Sequence, residues 1–447
     1  MVSTRNSCPP VDLLARVSDC LGRHVRRGDR LTAALSGGVD SVVLLHILRR
    51  LSSRHGFHLS ALHVNHGISQ NATRWQSFCE RLCEAWGIRL DVAMVAVETS
   101  GEGLEAAARR ARYDAFADVR AEWLALAHHR DDQAETLLLN LLRGAGVAGA
   151  AAMPQVRAFQ DRPDLRVLRP LLEVSREEID ACARLEGFSC MEDESNFDTR
   201  YSRNYLRHRI IPLLRERFPG CDAVLARAAI HFSESQSLLQ ELARNDSREV
   251  LRDGRIVSSQ LAKMDDARAR NLMRFVLRCE GIALPDSARL YEIVRQVCHA
   301  APDSHLRFDL GEMKLHRYRG EVWLIPHYVA VTDMEWRGEV ELKWGNAVLR
   351  FREMVGEGVS REKLASKKVR IAIRRGGERF RPESGRPRRE LRKLLQEHAV
   401  PPWERDRLPL LWGGNDLVWV PGIGIDCAWK CAPDEAGVIP EYQPASF

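Results

Sequence analysis

Two short stretches of the chain combine residue types that carry chemistry. The first, "SGGVDS" at 36–41, follows the apolar run "LTAAL" at 31–35 and sits where a strand would turn into a helix. Ser36, Gly37, Gly38, Val39 and Ser41 there offer main-chain amides, two hydroxyls and a helix N-terminus, a set that suits a diphosphate. Asp40 is badly placed against bare phosphate, but fits if a Mg²⁺ lies between, since Mg²⁺ is commonly held by one or two carboxylates plus phosphate oxygens. A tight turn with a capping Ser or Asp is the plain alternative. No G-x-x-x-x-G-K-[ST] occurs in the chain, which excludes an ordinary P-loop nucleotidase.

The second stretch is "HHRDDQAET" at 128–136. On a helix over 130–143, Asp132 and Glu135 share a face, so two carboxylates can meet one ammonium group. A solvated helix face is the alternative, and Asp131 reads as an N-terminal helix charge. "RRARYDAF" places Arg109 and Arg112 on one helix face with Tyr113 beside them, for phosphate contacts or a charged outer surface. "RYSRNYLRHR" interleaves Arg200, Arg203, Arg207 and Arg209 with Tyr201 and Tyr205, a combination for phosphates and a splayed base. His63, His66, His128 and His129 have no C-x-x-C or H-E-x-x-H frame around them, so zinc is rejected.

The elements that must position these groups follow a regular rhythm. Strand-like runs at 31–35, 59–65, 88–97 and 123–129 alternate with amphipathic helical patterns, and "LRVLRPLL" adds another strand. This predicts a parallel, doubly covered Rossmann-like sheet with its ligands at the carboxyl ends of the strands, where the polar motifs fall. Ser175 with Glu178 predicts a capping box that opens a further helix. From 222 to about 298 the pattern is almost wholly helical, then turns to strands. We expect an α/β chain of three domains: catalytic (1–218), mainly helical (222–330) and small α+β (335–447).

The 447 residues are 45% hydrophobic and 29% charged. Neither a signal peptide nor a membrane span is legible, so a cytoplasmic protein without a membrane partner is expected. The sequence is compatible with a homodimer. Of the eleven cysteines, Cys79 with Cys83 and Cys427 with Cys431 are the closest pairs, and both read as packing. The net charge is +6, but residues 361–407 alone hold 16 Lys/Arg against 7 Asp/Glu. With Phe380 and Trp403 interleaved, this stretch reads either as a solvated face or as a grip on a polyanion.

"SGGVDS" resembles the pyrophosphate loop of the N-type ATP pyrophosphatases, or PP-loop enzymes. Within them, "HVNHGI" (63–68), "EAAARRARYDAF" (105–116), "AHHRDDQAETLLLNLLRG" (127–144), "RPLL" (169–172) and "EDESNFDTRYSRNYLRHRIIP" (192–212) resemble the tRNA(Ile)-lysidine synthase family, as do "IRRGGERFRPE" and "LRKLLQEHAVPPWERDRLPLL". The resemblance implies ATP and Mg²⁺ as cofactors, with free L-lysine and an isoleucine tRNA bearing a CAU anticodon as partners. ATP would adenylate C2 of the wobble cytidine, and lysine would displace AMP.

It also implies residue roles. Asp40, Asp132, Glu135 and Arg112 are expected to be catalytic, with Asp40 the metal ligand; residues 36–41 with His63 and His66 would hold ATP. Asp132 and Glu135 would hold lysine, and Arg109, Tyr113, Arg203, Asn204 and Arg207 would contact substrate. A nearby carboxylate would accept the amine proton, and the C-terminal domains would tell isoleucine from methionine tRNA. The alternatives are a tRNA 2-thiolase, an amidotransferase ligase, or an RNA-binding protein with a nucleotide sensor. Missing paired cysteines count against the thiolase, and a missing glutamine-hydrolysing signature counts against the amidotransferase.

Overall fold

The computed structural model describes residues 13–67, 71–98, 103–159, 162–191, 197–301 and 306–444. Parts of the motifs above, residue 68 and residues 192–196, lie outside the described residues, as does the side chain of residue 105. The chain divides into two compact units, Met1–Glu241 and Leu242–Phe447.

The first unit runs α1 (Leu13–His24), β1 (Arg30–Ala34), α2 (Val39–His55), β2 (His58–Asn65), α3 (Ala72–Trp86), β3 (Arg89–Met94), α4 (Leu104–Ala117), β4 (Trp123–Ala125), α5 (Arg130–Leu142), α6 (Val147–Ala150), β5 (Val156–Phe159), β6 (Arg162–Leu168), α7 (Arg176–Leu185), α8 (Ser202–Tyr205), α9 (Ile211–Arg217) and α10 (Cys221–Val250), whose last turns lie beyond the boundary. Its six strands lie in the order β3-β2-β1-β4-β6-β5. The first five are parallel, as the sequence rhythm predicts. β5 adds an antiparallel edge that the sequence reading missed. β4 is also shorter than the run 123–129, because after Ala125 the chain leaves the ladder for the polar "HHRDD" turn.

Both faces of this sheet are covered. On one, β1 packs against α2, whose Val42, Val43, Leu44, Leu45, Ile47 and Leu48 are all buried, so the first half of this helix is apolar nearly all round. On the other, Phe116, Leu124, Leu126, Leu165 and Val167 form a second cluster. Each fully buried leucine or valine contributes roughly 1.5–3 kcal/mol. Cys79 and Cys83 lie on α3 inside the first cluster, and burial pushes the Cys79 thiol up to about 12, which leaves it inert packing.

The order of the strands creates the site. From β1 the chain moves outward through β2 to β3, then returns to the other side of β1 as β4. Loops after β1 and β4 therefore diverge over a crevice at the switch point, where ligands of such sheets bind. The capping box at α7 is present as the sequence predicts: the Ser175 hydroxyl accepts from the Glu178 N–H at 3.2 Å, and the Glu178 carboxylate accepts from the Ser175 N–H at 2.7 Å.

The second unit is less helical than expected. A hairpin pairs Leu251 with Ile256 and Arg252 with Arg255 inside the segment read as continuous helix. Asp253 and Gly254 both have positive φ, 49° and 74°, the conformation of a two-residue type I′ turn, and this Asp-Gly pair was the legible signal. Helices Asp266–Cys279 and Ser287–His299 then pack their apolar faces on a five-stranded antiparallel sheet. Residues 334–443 form two further antiparallel sheets and a two-stranded ribbon.

The two aromatic residues of the basic segment are both occupied by packing. Phe380 is fully buried among Leu391, Leu394 and Leu410. Trp403 lies against the rings of His316, Tyr318 and Trp323, at centroid distances of 4.6, 5.9 and 5.7 Å.

Replacing the α7 cap, Ser175→Ala, removes the acceptor for the Glu178 N–H and is expected to cost about 1 kcal/mol. Thermal unfolding of the full chain should show a lowered midpoint for Ser175→Ala, with most of the loss restored in Ser175→Asp.

Candidate active site

The glycine-serine loop is built from its own side chains. Gly37 has φ +89°, a conformation that favours glycine, and its Cα faces Cys79 and Phe78 of α3. Gly38, extended, caps α2. The Ser41 hydroxyl donates to the Gly38 carbonyl at 2.9 Å and accepts from the Ser36 N–H at 3.2 Å, while the Ser36 and Ser41 hydroxyls lie 3.1 Å apart. The Gly38 N–H points at the Ser36 hydroxyl, 3.3 Å away. Two hydroxyls thus hold open a loop that ends on a helix N-terminus, with Val39 and Asp40 in its first turn.

Asp40 does not stand free in this loop. Its Oδ2 accepts from Arg176 Nη1 at 2.7 Å, and its Oδ1 lies 3.8 Å from His129 Nε2, buried and without a hydrogen-bond partner. Burial outweighs the nearby cations and raises its pKa above the ordinary carboxylate value. His129, only 3% exposed, is also 3.5 Å from Asp132 Oδ2, so one imidazole spans the two motifs.

The carboxylates of α5 lie together, as their spacing predicts, but they are not open to solvent. Arg203 Nε donates to Glu135 Oε2 at 3.0 Å and its Nη2 to Asp132 Oδ1 at 3.1 Å. Arg207 reaches the same pair, with Nε on Glu135 Oε1 at 2.6 Å and Nη2 on Asp132 Oδ1 at 3.0 Å. Glu135 is 2% exposed. Burial works against a charge on Asp132, but His129, Arg203, His128 and Arg207 together outweigh it and hold the carboxyl well below the usual range. For Arg207 too, hydrogen bonding and charge from Glu135 overcome burial and raise its pKa.

A backbone irregularity presents these arginines. α8 continues into a π-helical turn, Leu206–Ile210, in which the Ile211 N–H bonds the Leu206 carbonyl five residues back. Pro212 has no N–H to give to His208, and a widened turn accommodates that loss. Asn204 is directed to the chain itself, donating to the Asp198 carbonyl at 3.1 Å.

Around this cluster the remaining expected residues divide. His66 and Arg112 meet, with Arg112 Nε 3.4 Å from His66 Nε2. Burial, then Arg112 and His63, push the His66 pKa down to about 4, so the ring is neutral at pH 7. His63 is instead a packed histidine, 4% exposed, with Nδ1 2.8 Å from the Leu35 carbonyl at the start of the glycine-serine loop. Arg109 covers the Tyr113 ring at 5.2 Å, Arg157 lies 5.4 Å from the same ring, and Tyr113 stacks on Phe159. His128 Nδ1 accepts from the buried Arg169 at 3.2 Å, and its pKa falls to about 3, first through burial.

Three residues escaped the sequence reading. Arg176 follows the capping serine and looked like the start of a helix; its Asp40 partner is 136 residues away. Asp131, read as a helix charge, accepts from the Arg176 main-chain N–H at 3.1 Å and pairs with Arg215 at 2.9 Å. Phe197 stacks on His208, with centroids 5.6 Å apart. Together with His129, Glu135, Arg207 and Ile211, these three residues line a cavity of about 270 Å³. Its walls carry both signs of charge, which suits a zwitterion or a phosphate ester beside an ammonium.

Comparison with known proteins places the chain in a family. Residues 13–214 match the PP-loop domain family, 258–323 the TilS substrate binding domain and 369–441 the TilS substrate C-terminal domain. The chain is 44% identical to the tRNA(Ile)-lysidine synthase of Nitrosomonas europaea, covering 96% of both chains. It is 42% identical to that of an Azoarcus species over 93% of this chain and 92% of the relative. Identity to the Aromatoleum aromaticum enzyme is also 42%, over 93% and 97%. A glycine-serine loop at the switch point, joined through one histidine to a charged cluster, thus occurs in a chain that aligns with these relatives nearly end to end, and the chain belongs to the tRNA(Ile)-lysidine synthase family.

Proposed function

We propose that this chain joins free L-lysine to C2 of the wobble cytidine of an isoleucine tRNA with a CAU anticodon, at the expense of ATP, and that its crevice divides the work between two charged groups. Family membership at 42–44% identity supports the overall reaction and disfavours the thiolase and sensor alternatives. The division of labour rests on one observation: His129 lies within 3.8 Å of both Asp40 on the loop and Asp132 on α5.

On this reading, the loop 36–41 takes the β and γ phosphates of ATP through its amides and hydroxyls. Asp40 is suited to a Mg²⁺, since its buried Oδ1 has no hydrogen-bond partner and its carboxyl is under-neutralised. That ion would supply charge neutralisation on the phosphates. His66, neutral and beside Arg112 at the end of β2, lies where the nucleoside would rest. His63 acts one step back, by fixing the Leu35 carbonyl at the root of the loop.

Asp132, Glu135, Arg203 and Arg207 form the lysine subsite. Free lysine carries two ammonium groups and a carboxylate, so a cluster with two charges of each sign can exchange internal partners for those of the substrate. Asp132 stays ionised throughout the physiological range, because its pKa is held low by cations. It can therefore bind an ammonium. We assign tRNA binding to the segments 222–330 and 335–447, with the latter reading arms of the tRNA remote from the wobble base.

Three outcomes are expected. Pyrophosphate and AMP should be released only when ATP, lysine and the isoleucine tRNA are all present; steady release without RNA would overturn the assignment. Asp132→Asn should raise the KM for lysine about tenfold or more, the loss of one charge-assisted hydrogen bond, with tRNA affinity unchanged in filter binding. Because the basic segment 361–407 offers many phosphate contacts, log Kd for tRNA should rise steeply with log salt, by about 0.7–0.9 per contact.

A further inference from the structure

Arg176 belongs to none of the motifs that mark the site, yet it is the most direct partner of Asp40. Its main chain is fixed: it is the first residue of α7, behind the Ser175 cap, and its N–H is bound to Asp131. Below it, Ile179 and Ala183 anchor the helix in the core under α2. Its side chain is 42% exposed and reaches into the cavity. At the edge of that cavity its Nη1 donates to Asp40 Oδ2 at 2.7 Å, while its Nε donates to Asp180 Oδ1 at 3.1 Å.

This geometry gives the guanidinium a pivot and a free arm. Asp180, one helical turn further on, holds Nε, and the planar fork lets Nη1 change acceptor without moving the backbone. The other ionisable groups lining the cavity are His129, Asp131, Glu135, Arg207, His208 and Arg215. Asp131 and Glu135 are already bound to Arg215 and to Arg203 with Arg207, so Asp40 is the acceptor that Arg176 can exchange. A divalent cation arriving on Asp40 would repel the guanidinium beside it, while the phosphates accompanying that cation would attract it.

We propose that Arg176 is a switched counter-ion: it neutralises Asp40 while the loop is empty, and on arrival of the metal-bound triphosphate it swings onto the diphosphate that is to leave. The proposal rests on the reading of residues 36–41 as the diphosphate cradle. It makes Arg176 a catalytic residue for the departing group, because negative charge builds on the β phosphate as the bond from the α phosphorus breaks.

Binding of inorganic pyrophosphate to the full chain, followed by calorimetry, tests this without turnover. With no divalent ion present, Asp40→Asn should tighten pyrophosphate binding about tenfold, since it frees the guanidinium at the scale of one charge-assisted hydrogen bond. In the Arg176→Gln background the same substitution should change affinity less than about twofold. With Mg²⁺ present, Arg176→Gln should weaken binding about tenfold, and Asp180→Asn, which loosens only the pivot, should weaken it to a smaller extent. Equal effects of Asp40→Asn in both backgrounds, or undiminished Mg²⁺-pyrophosphate affinity in both Arg176→Gln and Asp180→Asn, would overturn the switch and leave the cradle standing. Failure of the unsubstituted chain to bind pyrophosphate with Mg²⁺ would overturn the cradle itself.

Discussion

The pairing of Asp132 and Glu135 with Arg203 and Arg207 is the interaction on which the site depends. It joins residues 68 to 75 positions apart in the chain and clamps α5, which follows β4, to the α8 and π-helical segment. Four buried or half-buried charges are costly to desolvate, and such a cluster survives only because each carboxylate is met by a guanidinium at hydrogen-bond distance. Removing any one member would leave an uncompensated charge, at a cost of about 3–5 kcal/mol. The cluster is therefore a structural clamp, and on the proposed reading it exchanges partners only for a ligand that brings both signs of charge.

Its electrostatic consequence reaches the glycine-serine loop. Asp40 and Asp132 lie on either side of His129, yet their carboxyls move in opposite directions from the ordinary value. Asp132 is surrounded by cations, whereas Asp40 has one guanidinium and one orphaned oxygen. Separating two like groups in this way suits them to the different tasks proposed above, one to hold an ammonium and the other to receive a cation. The neutral His66 and His128 lie at the ends of β2 and β4, where they can bond without adding charge.

The second unit shows how a basic composition is distributed rather than concentrated. Many arginines of the 361–407 segment are paired, as in Arg374 with Asp406 and Arg375 with Asp333, and the aromatic residues between them are consumed by packing. Exposed ion pairs of this kind contribute little to stability, about 0–1 kcal/mol each. Their arginines can turn to phosphates at small cost. The polyanion binding proposed for this segment would therefore rest on charge density and not on stacking on Phe380 or Trp403.

The sequence by itself determined the parallel sheet, the capping box of α7, the glycine turn that opens α2 and the shared face of Asp132 and Glu135. Each of these is a local matter, set by a period of two or 3.6 residues, by a turn that only glycine fits, or by a spacing along one helix. Tertiary structure alone decided which cation meets which anion. Nothing near Asp40 in the chain announces Arg176, and nothing near Glu135 announces two arginines from the far side of β6. Likewise "RYSRNYLRHR" read as phosphate, base or active-site contacts, and folding alone showed that Arg203 and Arg207 turn onto the carboxylates of α5. Pairings of that kind depend on strand order and on the switch point between β1 and β4, and no local pattern carries them. Desolvation then makes them obligatory, because a charge taken out of water must find its opposite wherever the fold has placed it.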